Sequence, residues 1–328
     1  TTEVHDGFYV VRATMTDDAG NIGRDTIVVE VDNAIPAPEI INPSDGDMIS
    51  GTVYIVVEET SGQVDVDYCD FEHSIDGITW THIGLDEDGS DGWTISWNTT
   101  IVEDGDYFIR ATMADAAGNQ GNDTILVRVD NTPPETEIAI GEPHYGEDPT
   151  YVNNTTEFNL TAIDLGSGIA STWWGVVNET NIKGPYMYTG NFTLESLHLS
   201  DGHYNITFSS TDNVGNVESI KTKWIYLDNT PPDPEIIWPP FGYIASDIVT
   251  IEAIELSGAL DVEYCVFEYM NESSGEMGLI GIDSNGEDGW NITWDTTKVG
   301  NGGYFIYATM VDYLGNSKTA EIWIMVIN

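Results

Sequence analysis

Apolar and polar residues alternate with a period of two along most of this chain. In GDYFIRATM, from Gly105, the residues Tyr107, Ile109, Ala111 and Met113 fall on one side; in DGWTISWNT, from Asp91, Trp93, Ile95 and Trp97 do the same. That period marks a strand with one buried face. Clusters of Gly, Asn and Asp separate the alternating runs and supply turns. No run carries a convincing helical period. For residues 36–132 the pattern predicts strands at 38–42, 52–59, 64–72, 78–84, 93–98, 106–114 and 122–130. Seven one-sided strands with turn signals between them read as an all-β sandwich.

The pattern itself repeats. DGDYFIRATMADAAGNQGNDTILVRVDNTPPETEI, from Asp104, has a close copy from Asp6 and looser ones from Asp201 and at the C-terminus. Tyr9, Tyr107, Tyr204 and Tyr304 hold the same place in each copy, 98, 97 and 100 residues apart. A period near one hundred residues fits one sandwich per repeat and is too long for a short solenoid unit. The modules expected are 36–132, 133–230 and 231–328, with residues 1–35 as the last two strands of a fourth. Two strands alone cannot bury a face, so the half-module is expected to be completed by upstream residues or by strands of another chain. A chain that starts inside a repeat reads as a segment of something longer. Gly118-Asn119 predicts a tight turn before the last strand. NTPP at 131–134 and NTPPDP at 229–234 predict short, stiff linkers, because proline fixes φ and holds the preceding residue extended.

Composition changes the picture in one respect. Acidic residues number 56 against 9 Lys and Arg, a net charge of -47. Nucleic acid and anionic membrane surfaces are excluded as ordinary partners, since both are repelled. A cationic partner such as a metal ion, or a medium of high ionic strength, is favoured. Disorder does not follow, because 41% of residues are apolar and 11% aromatic in a regular pattern. No stretch approaches 18 apolar residues, and none reads as a signal peptide.

The recurring DG-x-Y-x-x-x-A-T, D-x-x-G-N and VDNTPP phrases resemble the tandem Ig-like, fibronectin-III-like repeats of archaeal and bacterial cell-surface proteins. The first and third full modules also share VDVDYCDFE (64–72) with LDVEYCVFE (260–268), and DGWTISWNTT (91–100) with DGWNITWDTT (288–297). The middle module departs: its AIDLGSGIASTWW (162–174) and SSTDNVGNVES (209–219) resemble a sister Ig-like family. The resemblance implies an extended rod of β-sandwiches at the cell surface, as a stalk, envelope layer or filament. It also implies a tyrosine corner at the sixth strand. Such modules serve equally as adhesins or as carbohydrate-binding accessory regions of secreted enzymes, which is the alternative reading.

In this connectivity three loops share the pole where the chain comes in, next to the preceding linker. For module 36–132 they carry Glu58 and Glu59, then DEDGSD with Asp86, Asp88 and Asp91, then Asp115 and Asn119; the linker carries Asp32 and Asn33. For module 231–328 the counterparts are Glu255, then Asp283, Asn285 and Asp288, then Asp312, with linker residues Asp228 and Asn229. The middle module offers Asp164, Asp212 and Asn216, with Asp130 and Asn131. So many carboxylates repel unless neutralised. A hard divalent cation with six to eight oxygen ligands does this, and Ca2+ tolerates irregular geometry. Ca2+-stiffened junctions are therefore expected, against a plain reading of Asp and Asn as solvated turn formers.

Ten N-x-S/T sequons, at Asn98, Asn122, Asn153, Asn154, Asn159, Asn178, Asn191, Asn205, Asn271 and Asn291, exceed the roughly four expected by chance. Asn205 and Asn291 fall on the outward phase of their strands. N-linked glycans and an extracellular location are expected. Cys69 and Cys265, one in each similar module, read as small buried hydrophobes. Of the aromatic candidates for a sugar platform, Trp80, Trp173, Trp174 and Trp238, the adjacent pair must point to opposite faces of a strand. No H-E-x-x-H, G-x-S-x-G or phosphate loop occurs, and the six His are scattered, so no enzyme is expected. The partners expected are other copies of the chain, other surface proteins, or glycans, with no membrane contact from this segment.

Overall fold

The computed structural model describes residues 4–62, 64–258 and 261–328. Two strands come first, β1 (Gly7–Thr16) and β2 (Ile22–Val31), which pair antiparallel as an isolated hairpin. Phe8, Val10, Met15, Ile27 and Val28 are exposed, and Val31 is the one buried residue of the pair.

Residues 38–129 supply β3 (Pro38–Asn42), β4 (Met48–Ile49), β5 (Thr52–Glu59), β6 (Val66–Ser74), β7 (Thr81–Asp86), β8 (Trp93–Asn98), β9 (Gly105–Asp115) and β10 (Gln120–Val129). One sheet runs β3-β5-β8 and the other β4-β10-β9-β6-β7. The seven strands read from the sequence are present with ends displaced by a few residues. The short β4, parallel to β10, was invisible to periodicity because two residues show no period. Ile55, Val57, Phe71, Trp97, Ile109, Met113 and Val127 meet between the sheets.

The middle repeat holds β11 (Glu135–Ile140), β12 (His144–Tyr145), β13 (Thr150–Val152), β14 (Phe158–Ile163), β15 (Ile169–Val177), β16 (Ile182–Met187), β17 (Gly202–Asp212) and β18 (Lys221–Leu227). Its larger sheet runs β12-β13-β18-β17-β15-β16, facing the pair β11-β14. Phe158, Leu160, Trp174, Leu194, Ile206 and Ile225 are buried between them. The last repeat holds β19 (Pro234–Trp238), β20 (Ile244–Ala245), β21 (Ile248–Glu255), β22 (Val262–Asn271), β23 (Met277–Asp283), β24 (Trp290–Asp295), β25 (Gly302–Asp312) and β26 (Ser317–Val326). Its sheets, β19-β21-β24 and β20-β26-β25-β22-β23, repeat the order seen for β3 to β10. The described residues contain no α-helix, only short 3-10 turns.

Buried rings recur with the strands. His73, Trp97 and Tyr107 pack at centroid distances of 5.1–5.8 Å, and Tyr269, Trp294 and Tyr304 at 5.2–5.8 Å in the equivalent place. Cys69 and Cys265 are fully buried, unpaired members of the two cores, and burial pushes both thiols up to about 12. They act as small apolar side chains. The tyrosine corner occurs four times: the hydroxyls of Tyr9, Tyr107, Tyr204 and Tyr304 donate to the carbonyls of His5, Glu103, Ser200 and Gly300 at 2.8–3.0 Å.

The chain condenses into two compact units. One is Thr1–Glu135 with Ile163–Ala170 and Ser210–Glu218; the other is Thr136–Ala162 with Ser171–Ser209 and Ser219–Asn328.

Candidate metal centres

Each candidate centre begins with the D-x-x-G-N turn that follows a long strand. In the first compact unit, Asp115 ends β9, and its Oδ1 accepts the Asn119 amide N–H at 2.8 Å. Its Oδ2 accepts the Asn119 side chain at 2.9 Å. Gly118 takes φ +91°, the left-handed region that glycine reaches without strain. The second side-chain N–H of Asn119 reaches the carbonyl of the linker residue Asp32. The same bonds recur from Asn216 to Asp212 and the Asp130 carbonyl, and from Asn316 to Asp312 and the Asp228 carbonyl. The turn therefore orients its own aspartate and grips the linker with one asparagine.

The linker aspartates Asp32, Asp130 and Asp228 each lie one residue beyond the last strand of a repeat. Each Oδ1 accepts a backbone N–H two residues on, from Ala34, Thr132 and Thr230. That bond turns the carboxylate toward the D-x-x-G-N aspartate. A third carboxylate completes each group: Asp32, Asp65 and Asp115; Asp130, Asp164 and Asp212; Asp228, Asp261 and Asp312. In each trio one oxygen per residue lies within 4.8 Å of the other two. That is the span two ligands of a single Ca2+ can have at about 2.4 Å each.

Four of these nine acids are buried, four are half-buried and Asp65 is exposed. Asp115, Asp130, Asp212 and Asp312 are only 0–3% exposed. None of the nine forms an ion pair with Lys, Arg or His among the described residues. Burial, with the charges of Asp261 and Asp201, pushes Asp228 up to about 6. Burial and the charge of Asp261 also raise Asp312, while desolvation and the charges of Asp32 and Asp115 raise Asp65. Buried like charges without a counter-ion are costly, and a bound divalent cation reverses that cost. The donor set, oxygen only and rich in carboxylate, suits a hard cation.

Several residues expected at these centres do other work. Asn33, Asn131 and Asn229 face the module that the chain is leaving: Asn33 bonds Asp6, Asn131 bonds Thr99, and Asn229 bonds Asp201. Glu59 accepts the backbone N–H groups of Ala37, Ser61 and Gly62, and Glu255 those of Asp233, Ser257 and Gly258. Both therefore staple a turn, and their oxygens are engaged there. Asp164 occupies the matching place in the sequence, yet its shorter side chain joins a trio. Asp86 accepts Asp88 N–H and Thr94 N–H, and Asp88 accepts Ser90 N–H. Asp283 binds Asn285 and Asn291 in the same way, and Asn285 bonds Asp288. These loops fold over Trp93 and Trp290, and none of those acids belongs to a trio. The side chain of Asp91 lies outside the described residues. Asn119 serves as a positioning residue. Sequence reasoning passed over Asp65 and Asp261, whose signal was present in the shared D-V-[DE]-Y-C phrase.

Direct contacts flank two of the centres. Ser50 Oγ donates to the Val214 carbonyl at 3.1 Å, and Asn153 Nδ2 donates to the Leu314 carbonyl at 2.9 Å. The second bond engages the side-chain nitrogen of Asn153, a buried residue. Asn98, Asn122, Asn159 and Asn191 are exposed; Asn154, Asn178, Asn205, Asn271 and Asn291 are half-buried. Trp174 stacks on Phe192 in the core at 3.6 Å while its neighbour Trp173 is exposed. Trp80 is covered by the Arg110 guanidinium at 3.9 Å. Trp238 is partly exposed beside Tyr243.

Residues 91–167 match the family model of the bacterial Ig-like domain, group 3. Among solved structures, the fibronectin(III)-like modules of Clostridium thermocellum CbhA are similar at 16% identity and TM-score 0.33, over 58% of this chain and 94% of that one. The tetra-tandem repeat in the extending region of a large adhesion protein is similar at 16% identity and TM-score 0.34, over 99% and 83%. Immunoglobulin domains 1–5 of Sidekick-1 are similar at 14% identity and TM-score 0.37, over 98% and 67%. No curated protein matches the chain. With its paired sheets, repeated tyrosine corners and matching stretch, the chain is a tandem array of Ig-like β-sandwich repeats.

Proposed function

We propose that this chain is a structural, extracellular segment of a cell-surface protein, a rod of Ig-like modules stiffened by Ca2+ where one module gives way to the next. The observation that carries the reading is the recurrence of one aspartate trio at three equivalent places, each built from a linker, a D-x-x-G-N turn and a third acid. In the first trio Asp32, Asp65 and Asp115 would hold the cation, with the equivalent residues in the other two. Bound there, the ion supplies charge neutralisation and a cross-link between linker and loop. An array of such modules serves as a stalk, surface layer or filament component, glycosylated on its exposed sequons, and no catalytic role is assigned to it. The excess of acid suits an environment that supplies divalent cations, and extracellular modules bind Ca2+ at about 10⁻⁴–10⁻³ M.

Thermal unfolding of the full chain in EDTA and in added Ca2+ tests this. A ligand that binds only the folded state raises stability by RT ln(1 + [L]/Kd) at each site. The midpoint is expected to rise with Ca2+ across the millimolar range, and a superimposable pair of curves would remove the metal. Small-angle scattering checks the mechanical part: added Ca2+ should lengthen the maximum dimension and narrow the distribution of distances.

A further inference from the structure

Within the second compact unit a line of rings runs from Tyr313 in the β25–β26 turn onto the middle repeat's larger sheet. Tyr313, Tyr145, Tyr151, Tyr226, His203 and Trp224 succeed one another at centroid distances of 4.6–6.3 Å. The line ends at a groove of about 690 Å³ beside Trp224, within the size range of small-ligand sites. Trp224 is 55% exposed, an unusual state for so large an apolar ring. Asn205 stands opposite it in the strand register, and the β15–β16 turn brings Asn178 and Glu179 to the same groove.

Two of the ten sequons therefore line one groove. At Asn178, Oδ1 accepts the N–H groups of Thr180 and Asn181, at 3.0 and 2.7 Å, which fixes the plane of the amide. Its Nδ2, the atom that bears an N-linked sugar, donates to nothing among the described residues. At Asn205, Oδ1 is buried and has no donor in the protein, and its amide lies in the middle of a strand. An acceptor left in that state is destabilising until a donor reaches it.

We propose that the groove seats the chain's own glycan, attached at Asn178, with a neutral sugar ring lying on the indole of Trp224. The chemistry matches. A pyranose has an apolar C–H face, which suits an indole, and a rim of hydroxyls, which suits the Asn205 amide and the Glu179 carboxylate. A neutral sugar enters without the repulsion that a chain of charge -47 exerts on an anion. The glycan then covers Trp224 at its end of the ring line, and it ties the β15–β16 turn to β18. This rests on the extracellular, glycosylated reading above.

The test uses the full chain secreted from yeast and trimmed with endoglycosidase H, so that the probe is a single N-acetylglucosamine. Glycopeptide mass spectrometry should find Asn178 occupied and Asn205 bare. Hydrogen exchange at residues 178–181 should be slower in the trimmed glycoprotein than in Asn178→Gln, by roughly two- to tenfold, the range an aromatic stacking contact gives. The slowing should vanish in Trp224→Ala, an exposed position, with unchanged exchange in β14 of the same repeat as the check on folding. A bare Asn178, an occupied Asn205, or the same slowing without Trp224 overturns the proposal. The Ca2+ response of the chain is read separately and is untouched by any of these outcomes.

Discussion

Asp130 and Asn131 are neighbours with opposite duties. The aspartate closes on Asp164 and Asp212, while the asparagine donates its backbone N–H to Asp104 and its side chain to the Thr99 carbonyl. Two residues thus serve two modules, which explains why this dipeptide recurs at every linker. The tyrosine corner gives a test at the same scale. Tyr107→Phe removes one hydrogen bond to the Glu103 carbonyl and should cost about 1 kcal/mol in denaturant unfolding, with the sheets unchanged by circular dichroism. Glu59 gives another. Burial raises its carboxyl, but the Ser61 hydroxyl and the amides of Ala37, Ser61 and Gly62 outweigh that and hold it at about 2. A carboxyl depressed on folding adds stability above its unfolded value, near 4.5, and loses it as the pH falls toward the folded one. The stability difference between wild type and Glu59→Gln should therefore be constant above pH 5 and shrink between about pH 4.5 and 2.

At the scale of elements, the strands were legible because alternation and turn residues agree. Tyr107, Ile109, Ala111 and Met113 are buried as the pattern requires, and the same spacing recurs in β25. The centres were legible only in part. Asp115 and Asp32 announced themselves by recurrence, but sequence cannot say which atoms a carboxylate already engages. Glu59 and Asp86 looked equivalent to Asp115, but their backbone N–H bonds hold them in their own turns, whereas the bonds Asp115 accepts from Asn119 leave it beside Asp32 and Asp65. Asp65 was missed because it reads as one more acid at the head of a strand. The Asp164 loop offers a steric test. A Cβ built on Gly166 would lie 2.2–2.4 Å from the Asp130 carboxylate. Gly166→Ala should therefore displace Asp130, lowering stability by about 1–3 kcal/mol and removing one of three steps from a calorimetric Ca2+ titration.

For the whole molecule, local stability should follow the cores. The hairpin β1–β2 presents Phe8, Val10 and Met15 to solvent, whereas Ile109 and Ile306 are fully buried. In hydrogen exchange, amides of β1 and β2 should label near their intrinsic rates while those of β9 and β25 resist by orders of magnitude. Equal protection of all four strands would mean that the hairpin has found cover. The asparagine that ends each repeat bears on the chain under load. Asn131 and Asn229 clip the last strand of a module to its own base, and Asn328 holds Thr296 and Asn301 in the same manner. In a molecule anchored at one end and tugged at the other, tension arriving along the backbone meets these clips before it reaches the ladder of the sheet. Under such a load they would serve as shear pins, short polar fasteners placed to give way while the sandwich behind them stays shut.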